Sequence, residues 1–360
     1  MKTQTTLTVF VLLCSVVSAH ATIRTVSNDA NRPAQFADVQ SAINASVALD
    51  TVYVNGTQYV YADFTVNKKM VLIGAGYNSS NQFNLVTSVN NISFYRDAGT
   101  QDGSGTVITG FKINFGVGIA GGSLLISNLR FFRNQMNGMA FGAAGATNIT
   151  IYNNIITSGI DGIFQGSNVI IQNNIFTTNV GISRFSQSSV VIDHNLFVHG
   201  NAFGGLQFAT ITNNIIIASD NTRVMDGNVV NCTFNANLSL SQNISPGSPT
   251  NSFLAQSNTG GGNIVGADPL FTACSDFNNF NYSFNYRLQS GSPGHNIGTD
   301  GTDIGIYGGQ YPFPTGGTAG GGYDTSALPP IPQITGMNIQ NASVLPGAQL
   351  KVSVQATINN

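Results

Sequence analysis

The sequence contains no glutamate and no tryptophan, and charged side chains fill only 8% of its 360 positions, against about 25% in an average soluble protein. All fifteen acidic residues are therefore aspartates. Without glutamate, and with lysine scarce, the composition argues against a mostly helical protein. A formal net charge of −2 leaves no basic footprint for nucleic acid and no polybasic patch for a membrane surface. No CxxC, HExxH or P-loop pattern occurs, which argues against a metal site built from His or Cys. Beyond the N-terminus, no apolar run approaches the ~20 residues of a membrane span. What is abundant is glycine (41 residues), asparagine and β-branched apolar residues, the material of strands and turns.

The one long apolar run opens the chain. MKTQTTLTVFVLLCSVVSAHA has Lys2, an apolar stretch from Leu7 to Val17 and an Ala19-His20-Ala21 end. That pattern predicts a secretory signal over residues 1–21, a mature start near Thr22 and a secreted or cell-surface location. Cys232 and Cys274 remain after cleavage. An oxidising compartment permits a disulfide between them, and the sequence leaves that open.

Six segments then align: LLISNLRF, ITIYNNII, VIIQNNIF, VVIDHNLF, ATITNNII and CTFNANLS. Their shared asparagine falls at Asn128, Asn154, Asn174, Asn195, Asn214 and Asn237, in steps of 26, 20, 21, 19 and 23 residues. Upstream, VITGFKIN looks like a less regular copy with Gly110 at the Asn position. A second short motif recurs between the segments as GMAF, GIFQ, GISR and GLQF. A period near 20 with short strands and Asn/Gly turns predicts coils stacked as a parallel β-solenoid, in which stacking supplies the continuous core that one coil lacks. Strand alternation points Ile149/Ile151, Val169/Ile171, Val190/Ile192, Ala209/Ile211 and Cys232/Phe234 inward. Tyr152, Gln172, Asp193, Thr212 and Asn235 point outward. The recurrent asparagines are expected to stack at a turn as a structural amide ladder.

Asp193-His194, set in VVIDHNLF, has the composition of a hydrolase or metal site. In this register it is a polar variant of one coil, with His194 in the column of Asn153, Asn173, Asn213 and Ala236. Neighbours on a strand face opposite ways, so the pair is not required to meet at one substrate.

The repeats, with FADVQSAINASVALDTVYVNGTQYV (36–60) and FTVNKKMVLIGAG (64–76) before them, resemble the right-handed parallel β-helix proteins of the pectin-lyase-like superfamily. The first stretch is similar to that family's N-terminal cap, a short amphipathic helix over the open end of the solenoid. DPLF and YRLQSGSPGHNIGTDGTDIGIYGG (286–309) look like its terminal coil. The resemblance implies a cap and first coil over 22–70, the β-helix over 71–310, and little about activity, because this fold hosts lyases, hydrolases, epimerases and non-enzymatic surface proteins. Residues 311–332 read as a Gly/Pro-rich linker. Residues 333–360 alternate again around Pro346-Gly347 and predict a short β extension.

The familiar chemistries of the family find little support. A pectate-type lyase needs acidic Ca²⁺ ligands and a basic residue near the substrate's α-carbon, and no two aspartates fall in adjacent coils on one face of this register. Glycosidases place two carboxyls about 5–5.5 Å or 6.5–9.5 Å apart. Asp220 and Asp226 share a coil, as do Asp300 and Asp303, the latter inside the terminal motif. One edge collects the remaining charge: Asp161 and Gln165, Arg184 in the next coil, and Arg223 with Asp226 two coils on, with Asn137 beyond. Arg184 sits where GMAF and GLQF have Phe, as a bulge residue or an inward charge. These five form a candidate glycan-binding groove, set against a plain set of surface ion pairs. His199 and His295 read as turn and surface positions.

The expectation is a secreted, all-β parallel β-helix protein without catalytic activity, presenting a face to a polysaccharide or cell-surface glycan, with no cofactor, nucleic acid or membrane span. The alternative is a polysaccharide lyase or glycoside hydrolase with an atypical site, the one case in which Ca²⁺ would enter.

Overall fold

The computed structural model describes residues 21–78, 85–163, 165–178, 181–186, 189–217, 223–245, 252–313, 332–340, 347 and 349–358. Residues 1–20 of the expected signal segment and most of the expected 311–332 linker lie outside these residues, as does Asp220. The chain winds into a parallel β-solenoid with two sheets of twelve strands each. The first sheet runs from Ile23–Val26 through Ala146–Tyr152, Gly166–Gln172 and Val190–Asp193 to Thr259–Gly261. The second runs from Phe64–Val66 through Lys112–Gly122, Gln135–Phe141 and Ile155–Asp161 to Ile264–Val265. Successive coils place like residues side by side, as in Val169↔Val190 and Ile171↔Ile192.

The helix Val39–Ala45 closes the first coil. Asp38 caps it, its carboxylate accepting from Ser41 N at 2.7 Å, and Val39, Ala42 and Ile43 bury its inner face. Alternation then builds the core: Ile149, Ile151, Val169, Ile171, Val190, Ile192, Ile211 and Phe234 are all fully buried. Phenylalanines from the second sheet meet them from the other side, Phe176 stacked on Phe197 at 4.6 Å. Cys232 is buried in this core and Cys274 is half-buried, both as free thiols, not a disulfide. Burial pushes the Cys232 thiol up to about 11.

From Arg133 onward, each coil turns between the sheets at one residue in the left-handed region, followed by one inward-facing asparagine. The left-handed column is Gly110, Arg133, Asn153, Asn173, His194, Asn213, Ala236 and Gly262. The asparagine column is Asn134, Asn154, Asn174, Asn195, Asn214 and Asn237, all buried, ending at the half-buried Asn263, each amide bonded to the next, as from Asn154 Nδ2 to Asn174 Oδ1 at 3.0 Å. Asn128 is not in it. The first copy is displaced by six residues, so Asn134 takes the ladder position and Asn128 joins an exposed file with Asn148 and Asn168. Gly110 is likewise a left-handed corner residue, and Phe111 occupies the ladder position, its N–H donating to Asn134 Oδ1.

The segment expected as a terminal coil adds none. Phe271–Ala273 pairs antiparallel with Asn285–Leu288, and residues 298–313 then run back along the outside of the coils already built. This strap and the antiparallel pair cover the outward side of the second sheet, where Ile155, Ile175, Leu196, Ile215 and Leu238 form a second apolar cluster with Phe271, Tyr286, Ile304, Ile306 and Phe313. A sheet covered on both faces carries apolar residues at consecutive positions, which accounts for the doublets Ile155-Ile156, Ile175-Phe176, Leu196-Phe197 and Ile215-Ile216. Downstream, Pro332–Ile339 and Val352–Ile358 form a two-stranded antiparallel pair.

Candidate functional site

The Asp193-His194 pair lies beneath the strap. His194 is only 1% exposed, its left-handed backbone (φ 51°) turning the ring back to its neighbour. Nδ1 stands 2.9 Å from Asp193 Oδ2, at ion-pair distance but without hydrogen-bond geometry. On the other side, Nε2 lies 3.3 Å from Thr302 Oγ1 and 3.7 Å from Asp300 Oδ1. A Cβ on Gly309 would come within 2.8 Å of the ring, and φ there is 74°, so glycine is required where the strap crosses. The rest of the column holds the same segment: Asn153 Nδ2 donates to Tyr311 O, Asn173 Nδ2 to Gly308 O, and Asn213 Nδ2 to Thr299 Oγ1. Tyr152, expected to face outward, is buried with its ring stacked on Tyr311 at 4.3 Å. Gln172 is buried as well. Among the described residues His194 is closed off from solvent beneath the strap, and the pair fastens that segment. His295 is similarly engaged, Nδ1 standing 2.7 Å from Asp303 Oδ1. His199 is half-buried, and burial lowers its pKa against the opposing pull of Asp276.

The open feature lies along the second sheet. A cleft of about 630 Å³ is lined by Asp63, Asn91, Ser93, Phe115, Asn137, Ser158, Asp161 and Ser183 over a floor of Gly116, Gly118, Gly138 and Gly159. It meets, at Ser183, a second hollow of about 500 Å³ lined by Arg184, Gly204, Gly205, Gln207, Asp226 and Asn228. Asn91, Gly116, Gly138 and Gly159 belong to successive coils. A Cβ on Gly138 would stand 2.8 Å from Gly159 O and one on Gly116 3.2 Å from Gly138 O, so a side chain is crowded out at these two positions and a ligand can approach the backbone there. Phe115 stands on the rim with 63% of its surface exposed.

Three of the five groove candidates come together here. Asp161 Oδ1 accepts from Ile163 N at 3.0 Å and from Arg184 Nε at 2.7 Å, and Arg184 Nη2 donates to Asp161 Oδ2. Arg184 is a left-handed corner residue (φ 55°) that turns its guanidinium outward. The inward place passes to Phe185, which packs edge-on to Phe141 at 5.4 Å. Asp226 repeats the turn of Asp161, its Oδ1 accepting from Asn228 N and Gly205 N. Gln165 and Arg223 are not part of the lining. Gln165 is exposed at the next corner, its carbonyl accepting from Ala146 N, and Arg223 donates to Asn201 Oδ1 on the outer surface.

Register fixes the spacing of the acids. Asp161 pairs with Ser183, Ser183 with Gly204, and Phe203 with Met225, which sets Asp226 beside Gly204. Asp161 and Asp226 are thus three coils apart, or roughly 14 Å at ~4.8 Å per coil. That exceeds both glycosidase separations. Asp63 lies in a different column, both its oxygens accepting from Asn91. No cluster of three His, Cys or Asp side chains suited to a metal ion occurs among the described residues.

A third hollow, on the first sheet, has Thr150, Ile170 and Val191 as its floor and the Asn128, Asn148, Asn168 file as its wall. Its one charge, Arg130, is committed to the Tyr152 hydroxyl at 2.9 Å.

The sequence reading missed Asp63, Phe115 and the glycine floor. The signal available was the recurrence of Gly116, Gly138 and Gly159 at steps of 22 and 21 residues, inside the same period as the asparagines. No protein-family model matches the chain, and no curated protein matches it. The parallel β-solenoid with its open cleft is a fold compatible with carbohydrate-binding and lyase-type proteins alike.

Proposed function

We propose that the chain is a secreted or cell-surface β-helix protein, of the pectin-lyase-like kind, that holds a glycan along this cleft without cleaving it. The observation that carries the reading is the cleft itself: glycine-floored, continuous across successive coils, and walled by amides, hydroxyls and the exposed Phe115 ring. Sugars are bound by such a mix, hydroxyls to polar side chains and C–H faces to an aromatic ring. The carboxylates that line it are too widely spaced to act as a hydrolytic pair. Arg184, the one cation of the lining, is ion-paired to Asp161 and is a poor general base at neutral pH because a guanidinium does not give up its proton there. Export is supported by the residues of the 1–21 segment.

The test combines binding and turnover. The protein is run by affinity electrophoresis against a panel of neutral and acidic polysaccharides, and incubated with the same panel with and without Ca²⁺. Unsaturated-uronate absorbance and reducing ends are followed. Retardation without product, lost in a Phe115→Ala variant, is the expected result. Turnover that disappears in Arg184→Ala would replace this reading with the lyase or hydrolase alternative.

A further inference from the structure

We infer that the cleft selects an uncharged glycan chain and rejects polyuronates, an inference that rests on the glycan-binding reading above. The lining carries three carboxylates, Asp63, Asp161 and Asp226, and one guanidinium, Arg184, so its formal charge is +1 − 3 = −2. The guanidinium is not free to receive an acidic sugar. Its Nε and Nη2 are both given to Asp161, and a uronate carboxylate would have to displace that partner.

The two remaining acids have no cation against them among the lining residues. Asp63 is held by the Asn91 amide and side chain, at 3.0 and 2.8 Å. Asp226 is held through Oδ1 by backbone N–H groups, and its Oδ2 stands 3.2 Å from where a Cβ on Gly204 would be, over the cleft floor. These bonds fix two negative charges near opposite ends of the path. A chain with one carboxylate per sugar would meet repulsion at both ends of the path, and inside a cleft that repulsion is poorly screened.

Neutral hydroxyls meet the opposite situation. Asn137, Ser158 and Ser183 offer both donors and acceptors. Phe115 offers an apolar face at the rim. Carboxylates accept hydrogen bonds from sugar hydroxyls as readily as they repel anions. The cleft thus accepts the neutral chain and excludes its oxidised counterpart.

Titration calorimetry of the full chain with soluble neutral glucan, galactan and mannan, and with polygalacturonate and alginate, decides the matter. It is run with and without Ca²⁺, at low and at physiological salt. The expected result is binding of at least one neutral chain with little salt dependence, and uronate binding at least about tenfold weaker. Asp226→Asn keeps the Oδ1 acceptor and removes one charge, and it should narrow that gap by raising uronate affinity. Uronate binding as tight as neutral binding, in either metal condition, overturns the charge selection while leaving the glycan-binding reading in place. Failure of every polysaccharide to bind overturns both.

Discussion

Asn174 Oδ1 accepts two hydrogen bonds from Asn154, from the backbone N–H and from Nδ2, both at 3.0 Å. In turn Asn174 N and Nδ2 both donate to Asn195 Oδ1, at 2.9 and 3.1 Å, and Nδ2 also reaches Ile151 O and Gln172 O. One amide therefore serves three coils at a buried bend where backbone groups have no strand partner. Asparagine meets the need because it carries donors and an acceptor on a short stem. In Asn174→Ala the Asn154 donors lose their acceptor, and a buried unsatisfied group costs about 1–3 kcal/mol. The expected loss is ~3 kcal/mol or more, read as a lower denaturant midpoint. Asn174→Asp keeps the acceptor but sets a carboxylate against three oxygen acceptors, and it should be no better tolerated.

His194 and Asp300 make the strap's stability depend on its own column of contacts. His194→Ala removes the ring wedged between Asp193 and Thr302 and leaves a void under Gly309. Lost contacts and the void together are expected to cost about 2–4 kcal/mol locally. The coils beneath keep their own ladder and core. The expected signature is faster hydrogen exchange at Gly305 and Gly309, with the solenoid's β signal in circular dichroism unchanged. A uniform loss of protection across all coils would show that the strap is instead integral to the fold.

Asp50 gives a pH dependence at the other end. Its side chain is fully buried, and it accepts from Thr22 N, Val47 N and Arg24 Nε at 2.8, 3.0 and 3.3 Å. Burial pushes its pKa up, but the two backbone N–H groups and Arg24 together outweigh that and hold it below the usual aspartate value. A carboxylate with a depressed native pKa adds stability above its unfolded pKa of about 3.9, and that stability disappears as pH falls through the native value. The first coil should thus loosen below about pH 4. Asp50→Asn should flatten the acid limb of a Tm-against-pH curve and lower Tm at pH 7.

The coil repeat was legible because each coil repeats one chemical pattern, an apolar alternation followed by asparagine. The period alone gave the parallel stacking and the inward residues. It failed at Asn128 because LLISNLRFFRNQM contains two asparagines six residues apart, each at a corner of the coil, and alternation does not distinguish them. The strap escaped because its cues are outward-facing: the apolar doublets record a second covered face, and Gly305, Gly308 and Gly309 record close approach to other side chains. A reading that assigned only one buried face per strand had no place for them. Arg184 and Asp161 were legible as a pair, since charge is rare in this chain. Phe115 and the glycine floor went unread although Gly116, Gly138 and Gly159 recur inside the same period, because the register between Lys112–Gly122 and its neighbours shifts there and strand alternation does not carry across such a shift.

Gly162 tests the local accommodation that sets Arg184 at the cleft. A Cβ there would stand 2.5 Å from Cδ1 and 2.6 Å from Cε1 of Phe185, the ring that enters the core one coil on when Arg184 turns outward. Gly162→Ala should therefore cost about 1–3 kcal/mol by overpacking, and the displaced ring should disturb Arg184 beside it. Phe185→Leu removes part of that ring and costs a cavity of its own. Combined, the two substitutions should destabilise by less than the sum of the single effects, with a coupling of roughly 0.5–3 kcal/mol. Glycan binding measured on the same variants should weaken in Gly162→Ala and recover in the double variant. Strict additivity would mean that the backbone at Gly162 moves freely, and that Phe185 does not determine where Arg184 sits.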